Sequence, residues 1–557
     1  MAGGSSNFLA RIFRRLEQAG DRPVLQEVRD GNFVPCAGAN LLGQIANARI
    51  FLRKPELKAG DRCVLLAPNS INWVAVDLAI MAEGLIVVPL YTRQAVPELV
   101  TMMKDCSPSL VICGDDKLLG AVKEQWPESP PLVRLDDVVS STSPSGRASS
   151  GPVELGDTAP VSIIYTSGTS GEAKGVVLGI SNLNHMLGCT SQRLDMLMAR
   201  SDGQDRVFHY LPFCFAGSWI MLLTCLLRGS LLMMETDLNK LAADMRAAEA
   251  DYFLNVPVLL ERMRNGVDEQ LRKTGGLVLA IYERAKNTWA HPQSASVPQP
   301  AGFWLWLANK IVFPTIRKKM IGGKLRALIC GSAPLSKETQ AFFMMLGIPV
   351  LQVYGLTETT AICTMDDPRY VEPGRVGPAI PGVQMKLADN GEILVRGPSI
   401  FQGYWNRPQT TTEVMSDGWF HTGDQGDVNE KGNWRISGRV KNLIILSSGH
   451  NVPPEPIEET LLKLLPDAQH VVLTGHSRAF ITALVTGTPG PDQVQWALEE
   501  VNRDLPHYKR VRAFRILDQP FSIENGLLTA NGKLKRELIA SRYAAEIEEL
   551  YRSSMTA

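Results

Sequence analysis

Several function classes are made improbable by what this chain has little of. Its eight histidines form no H-E-x-x-H or comparable cluster, which argues against a protein-held transition metal. Its nine cysteines are scattered, with no C-x-x-C pair and no metal-ligand spacing. An odd, dispersed set indicates buried thiols in a reducing compartment. Neither charge is in excess, since 57 Lys and Arg balance 57 Asp and Glu, so no basic field points to nucleic acid. Met1 to Asn7 is small and polar, and Phe8 to Leu16 is a short amphipathic segment bearing arginines, so no secretory signal is expected. No internal repeat is visible. One long uncharged run exists, Val207 to Leu227, long enough to span a bilayer. It contains His209, Pro212 and Gly217 and has no partner span, and it reads as a turn followed by a buried helix.

What is present is ordinary globular composition, about 45% hydrophobic and 20% charged. At 557 residues the chain is too long for one core. Residues 60–112 alternate apolar runs with helical pattern: strands at Val64–Ala67, Ile86–Leu90 and Leu110–Cys113, helices at Trp73–Glu83 and Pro97–Lys104. That alternation predicts a doubly wound parallel sheet. Ser140–Gly156, rich in Ser, Pro and Gly, reads as a linker. A second strand–helix series runs through Leu231–Met234, Tyr252–Asn255, Leu325–Cys330, Thr339–Leu346 and Val350–Tyr354. After Gly377 short β segments predominate, at Gln384–Leu387, Glu392–Arg396 and Trp434–Ile436. From about Arg439 the order strand, helix, strand, helix, strand, terminal helix predicts a small α+β domain.

The segment from about Arg264 to Lys324 stands apart. It holds Phe303, Trp304 and Trp306, then Lys310, Arg317, Lys318 and Lys319 around Ile311, Val312, Phe313 and Ile316. A basic amphipathic helix of this kind either lies on an anionic membrane surface or packs its apolar face on the body with its charges in water.

The stretch that organises the chain is Tyr165-Thr166-Ser167-Gly168-Thr169-Ser170-Gly171-Glu172-Ala173-Lys174-Gly175, preceded by the apolar strand Val161–Ile164. Its glycines let the backbone approach a ligand, and four hydroxyls with unpaired N–H groups can surround phosphate oxygens. Lys174 adds a mobile point charge. Ala173 precedes the lysine where a Walker A loop has glycine, so it is not that motif. The competing reading is a Ser/Gly-rich surface turn.

Four motifs follow downstream: Tyr354-Gly355-Leu356-Thr357-Glu358-Thr359-Thr360, Trp419-Phe420-His421-Thr422-Gly423-Asp424, Gly438-Arg439-Val440-Lys441-Asn442 leading to Ser447-Ser448-Gly449-His450, and Leu528-Thr529-Ala530-Asn531-Gly532-Lys533. In this order and spacing they resemble the adenylate-forming superfamily of acyl- and aryl-CoA synthetases, luciferase and peptide-synthetase adenylation domains. The resemblance covers about Gly60 to Arg536. It is nearest to bacterial long-chain fatty acid CoA ligases, through Gly331-Ser332-Ala333-Pro334-Leu335-Ser336, Gly347–Leu351 and the long segment before them.

The resemblance implies an α/β N-terminal domain over residues 1–438, with doubly wound sheets and a β-rich subdomain. A small mobile α+β domain would occupy 439–557. It implies that a fatty acid carboxylate attacks the α-phosphate of ATP, and that a thiol, normally coenzyme A, then displaces AMP. Thr166, Ser167, Gly168, Thr169, Ser170, Gly171 and Lys174 would hold the β- and γ-phosphates, and Thr357 would touch the α-phosphate. Glu358 would anchor Mg²⁺, which favours one or two carboxylates plus phosphate oxygens. Gly331, Ser332, Ala333, Pro334, Tyr354 and Gly355 would flank adenine, and Asp424 and Arg439 the ribose. Lys533 would carry adenylation, Lys441 would be the hinge, and Gly449 would face the pantetheine arm of coenzyme A. Trp219 would gate the acyl tunnel. Two positions depart from the pattern: Phe215 stands where relatives often place a polar group, and Ala173 replaces a common proline.

The same first half-reaction serves ligases that pass the adenylate to an acyl-carrier protein, and domains that activate amino acids. No acidic residue is recognisably placed for an α-ammonium group, which weighs against the latter. A catalytically silent lipid-binding protein would have no use for Lys533, Glu358, Asp424 and Arg439 together. A cytoplasmic location is expected, with a peripheral membrane contact as the alternative setting.

Overall fold

The computed structural model describes residues 7–29, 31–54, 57–140, 151–167, 173–199, 205–290, 301–529 and 532–555. Two large sheets and a five-stranded sheet make up the chain as far as Arg439. The first large sheet runs, edge to edge, Gly403–Tyr404, Ala173–Gly179, Pro160–Ser167, Ile86–Pro89, Arg62–Leu66, Leu110–Cys113, Leu132–Arg134. The second runs Thr364–Met365, Val350–Tyr354, Ala327–Cys330, Tyr252–Asn255, Arg206–His209, Leu231–Met234, Pro23–Arg29, Asn32–Ala37. The central strands of each are parallel, as helical crossovers require. Leu110–Cys113, Leu231–Met234, Tyr252–Asn255, Val350–Tyr354, Gln384–Leu387 and Glu392–Arg396 fall where the apolar runs predict them.

Helices Ile71–Ala82, Ile180–Met198 and Ala216–Arg228 share one core with both sheets. Ile71–Ala82 is apolar on nearly every side, and all of its residues but Asn72 are buried. A helix apolar all round has no solvent face to present, so it sits between layers. The Ser70 hydroxyl caps it by accepting from the Trp73 N–H at 3.0 Å. The uncharged run 207–227 resolves into the end of strand Arg206–His209, a turn, and buried helix Ala216–Arg228. No helix among the described residues is long and apolar enough to cross a membrane.

Two features differ from expectation. The segment before residue 60 supplies the hairpin Pro23–Arg29/Asn32–Ala37, whose first strand pairs in parallel with the distant Leu231–Met234. In the C-terminal part the middle strand is a pair, Ala468–Thr474 and Ile481–Gly487, so a hairpin separates helices Glu455–Leu464 and Pro491–Arg503. A turn of only six residues, Gly475 to Phe480, joins these strands. This part has its own core, with Ile444, Val452, Leu461, Val471, Ile481 and Leu498 buried together.

Candidate active site

The organising stretch forms a hairpin. Strands Pro160–Ser167 and Ala173–Gly179 pair antiparallel, with Thr166 opposite Lys174. Gly168, Thr169, Ser170 and Gly171 lie outside the described residues. Lys174 emerges beside the Tyr404 ring, its ammonium 5.3 Å from the centroid. Gly403–Tyr404 adds an edge strand to the hairpin, with Tyr404 opposite Val176.

Gly331 and Tyr354 end adjacent parallel strands, the position where open α/β sheets leave a crevice for ligands. Glycine is required at Gly331, because a Cβ there would stand 2.6 Å from Val353 Cγ2. Ser332 turns the chain out at φ 73°, ahead of Ala333 and Pro334. Gly355 is tighter still: a Cβ would meet the Ala361 carbonyl oxygen at 2.3 Å and Ile362 Cα at 2.5 Å. The chain folds back on that glycine through a single 3₁₀ turn, Thr357–Thr359, after which Thr360 and Ala361 both take positive φ. Non-glycine residues hold that conformation only when surroundings impose it. Here the buried Thr360 hydroxyl donates to the Ser399 carbonyl at 2.6 Å.

The Glu358 carboxylate accepts a hydrogen bond from the Tyr404 hydroxyl at 2.8 Å. Its backbone carbonyl accepts from the Phe401 N–H at 2.8 Å. Tyr404 therefore touches both the phosphate-loop lysine and the acid expected to anchor magnesium. It was not among the residues expected from the sequence. The one signal available was the aromatic Gly403-Tyr404-Trp405 run.

Asp424 and Arg439 face each other across an antiparallel pair of strands, Trp419–Val428 and Trp434–Arg439, and form an ion pair at 2.7 Å. The Tyr354 hydroxyl donates to the other Asp424 oxygen at 2.7 Å. Burial pushes the Asp424 carboxyl above its usual range, against the opposing pull of Arg439 and Tyr354.

Lys533 comes from the C-terminal part. A tight hairpin carries it, with Thr529 N–H donating to the Lys533 carbonyl at 2.8 Å and Gly532 at φ 72°. Arg536 anchors that hairpin by a two-point bond to the buried Glu458 carboxylate, 2.7 Å at one oxygen. The Lys533 ammonium lies within electrostatic range of Arg439, Asp424 and Glu358. Crowding by the cleft walls and the nearby Arg439 cation lower its pKa, while Asp424 and Glu358 oppose the shift. Direct contacts thus join Lys174, Tyr404 and Glu358 in one group and Tyr354, Asp424 and Arg439 in another, with Lys533 in electrostatic range of both.

The remaining candidates stand apart. Lys441 lies in the 3₁₀ turn Val440–Asn442 that joins the two parts of the chain. Gly449, at φ 82°, makes an exposed turn with open space around it, so the turn itself accounts for glycine there. Trp219 is fully buried, and its indole N–H donates to Asp77 at 3.1 Å. Asp77 is buried beside it, and its pKa is pushed up to about 7 by that burial. An apolar cavity of about 50 Å³ opens on the opposite side of the same helix, along Gly217, Ile220, Met221 and Thr224. Those positions repeat at i, i+3, i+4 and i+7, one helical face, and Trp219 falls off it. Trp219, expected as a gate, is therefore not among the residues that line this cavity. The cavity's other wall includes Val353, Ala361 and Ile362, which flank the Tyr354–Glu358 segment. Phe215, the departure from the family pattern, precedes this helix with its ring 5.4 Å from that of Tyr91.

A magnesium ion fits the donor set only in one way. No group of three or more His, Cys, Asp or Glu able to hold a metal occurs among the described residues. Glu358 is a single carboxylate beside the hairpin expected to bind phosphate, which suits an ion completed by phosphate oxygens and water.

A family model described as "AMP-binding enzyme" matches residues 17–405, and "AMP-binding enzyme C-terminal domain" matches 441–555. The chain belongs to the AMP-binding enzyme family. A long-chain-fatty-acid–CoA ligase, FadD15 of Mycobacterium bovis, is 28% identical, covering 99% of this chain and 98% of its own. A chloroplastic long-chain-fatty-acid–[acyl-carrier-protein] ligase, AEE15 of Arabidopsis thaliana, is 26% identical over 96% of this chain and 85% of its own. Among solved structures, ATP-bound MatB from Rhodopseudomonas palustris superposes with a TM-score of 0.72 at 25% identity, covering 97% and 99%. The fold is that of adenylate-forming enzymes.

Proposed function

We propose that the enzyme is an ATP- and Mg²⁺-dependent long-chain fatty acid–CoA ligase, making acyl-AMP and pyrophosphate and then acyl-CoA and AMP. The observation that supports this reading is the Lys533 ammonium within electrostatic range of Glu358, Asp424 and Arg439. A carboxylate approaching a polyphosphate brings anion to anion, so the first step depends on fixed positive charge where negative charge gathers. Lys174 and the phosphate hairpin neutralise the β- and γ-phosphates, and Lys533 bridges the incoming carboxylate and the α-phosphate. The carboxylate oxygen bonds to the α-phosphorus as the bond to pyrophosphate breaks. Asp424 holds the ribose hydroxyls, with Arg439 beside it, while Tyr354 and the Gly331–Pro334 turn flank adenine. Glu358 with Thr357 would hold the magnesium ion at the phosphates, and that ion supplies charge neutralisation when bound.

The second step needs a different cleft. Residues 439–557 swivel about Lys441, withdrawing Lys533 and bringing the Gly449 turn to the acyl-adenylate, where a thiol sulfur attacks the acyl carbon and AMP leaves. The apolar cavity beside Ile362 supports an aliphatic acid, since each buried CH₂ contributes about 0.8 kcal/mol. Its present size accommodates only a few methylenes, one water needing about 10–15 Å³ by the same measure, so a long chain displaces side chains such as Met221. The enzyme works in the cytoplasm, with a peripheral membrane contact at the 264–324 segment.

Exchange of labelled pyrophosphate into ATP, measured over acids of varied length with and without coenzyme A, tests the reading. Exchange with medium or long acids and acyl-CoA formation are expected. No exchange with any acid overturns it. An acyl-carrier protein is the alternative acceptor, favoured by the resemblance to AEE15. An adenylate that persists with coenzyme A but disappears with a carrier protein would select it.

A further inference from the structure

Between strands Tyr252–Asn255 and Ala327–Cys330 the chain inserts four helices, Pro257–Thr274, Gly276–Ala290, Ala301–Ile311 and Phe313–Ile321. Their inward faces are accounted for, with Tyr282, Ala308, Val312, Phe313 and Ile316 buried on the outer side of the second large sheet. Their outward faces are not. Seventeen large apolar side chains are exposed among the described residues, and seven of them fall between 258 and 311, under a tenth of the chain. Leu277 is 74% exposed, Trp306 57% and Ile311 56%. Phe303 stacks on Trp306 at 6.1 Å, and Arg284 of the preceding helix lies over Trp304 at 4.4 Å. The two middle helices therefore present one continuous aromatic ledge. Apolar surface concentrated this way marks an interaction face, whereas scattered exposure would not.

The charge beside the ledge is predominantly positive. Residues 257–324 carry eleven Lys and Arg against four Asp and Glu, in a chain that is balanced overall. From Ala301 to Ile321 there are four cations and no acid. Lys310, Lys318 and Lys319 are exposed and have no acidic partner among the described residues. Trp and Phe flanked by unpaired lysines match the interfacial zone of an anionic bilayer, where amphipathic rings sit at headgroup depth and cations meet phosphate. A second copy of this chain fits poorly, because a two-fold contact would set like charge against like.

We infer that the helices Gly276–Ala290 and Ala301–Ile311, through Phe303, Trp306 and Leu277 with Lys310, Lys318 and Lys319, dock this enzyme on the surface of an anionic membrane. The inference deepens the proposed function, on which it rests, by naming the face through which a lipid-acid ligase stays at the source of its substrate. The basic helix Phe313–Ile321 packs its apolar face inward, so its lysines supply charge while the preceding helices supply insertion.

The test is co-sedimentation of the full-length protein with vesicles of phosphatidylcholine alone or with 30% phosphatidylglycerol, roughly the charge density of an anionic leaflet, at low and high salt. The wild type is expected to bind the anionic vesicles and to be released by salt. Lys310→Gln/Lys318→Gln/Lys319→Gln should lower that binding about 100-fold, roughly fivefold per lysine. Phe303→Ser/Trp306→Ser should lower it at either salt concentration and abolish quenching of tryptophan fluorescence by brominated lipid. Both variants should keep pyrophosphate exchange with a detergent-dispersed acid, which separates failure of docking from failure of the proposed chemistry. Absence of wild-type binding, or binding unchanged in both variants, overturns the inference. A stable dimer that Phe303→Ser/Trp306→Ser dissociates would also overturn it and give the face to a second copy.

Discussion

Lys533 sits near one cation and two carboxylates, and its depressed pKa has a direct kinetic consequence. The protonated ammonium is the form that bridges two anions. Adenylation should therefore fall as pH rises through that lowered pKa, below the ordinary lysine range, whereas Lys533→Arg should carry the alkaline limb upward at reduced rate. Lys533→Ala should cost 10²-fold or more in acyl-AMP formation, on the scale of removing one electrostatic donor, and leave most of the thioester step from supplied acyl-AMP. Single-turnover assays of the two halves check this, and equal loss of both would remove the assigned role. Tyr404 offers a second residue-scale prediction. Its hydroxyl orients Glu358, and its ring lies beside Lys174. A hydrogen bond to a charged group contributes about 1.5–3 kcal/mol, so Tyr404→Phe should lower kcat/KM for MgATP roughly tenfold to a hundredfold. KM for the acid should stay unchanged, and a titration of magnesium at fixed ATP would read the shift.

Helix Ala216–Arg228 divides its labour by face. One side, through Trp219, is held to Asp77 of a neighbouring buried helix, and the other lines the apolar cavity. A Cβ at Gly217 would have only Leu254 Cδ2 near it, at 4.0 Å. Gly217→Val should therefore fold and narrow the cavity, moving the preferred acid to shorter chains by several carbons in a chain-length screen. Trp219→Phe should leave that profile in place and lower Tm instead, because it removes a hydrogen bond to a buried carboxyl and core volume. A changed profile in the second variant would assign the gate to Trp219.

Across the whole molecule, the C-terminal part stands with Lys533 in electrostatic range of Asp424 and Glu358, the arrangement that the proposed first half-reaction needs. Part of what holds it is an ion pair from Lys463 on helix Glu455–Leu464 to Glu338 on the large domain, 3.1 Å apart. Both side chains are well exposed, and such pairs contribute about 0–1 kcal/mol. Lys463→Glu should thus slow pyrophosphate exchange only about two- to fivefold, with the thioester half-reaction unaffected or faster. A uniform loss in both halves would point to folding and not to the swivel.

The amino-acid sequence by itself determined the doubly wound character of the large domain, because apolar runs bounded by turns leave few other ways to bury both faces of a strand. It also determined the family, because Tyr165–Gly175, Tyr354–Thr360, Asp424, Arg439 and Lys533 keep a fixed order along the chain. Tertiary structure alone decided what those residues meet. That the first hairpin crosses to the second sheet, that Tyr404 stands between Lys174 and Glu358, and that Trp219 faces away from the cavity all depend on pairings between segments tens to hundreds of residues apart. Local periodicity carries no record of such pairings: it states which face of an element is apolar, and only packing states which neighbour covers it.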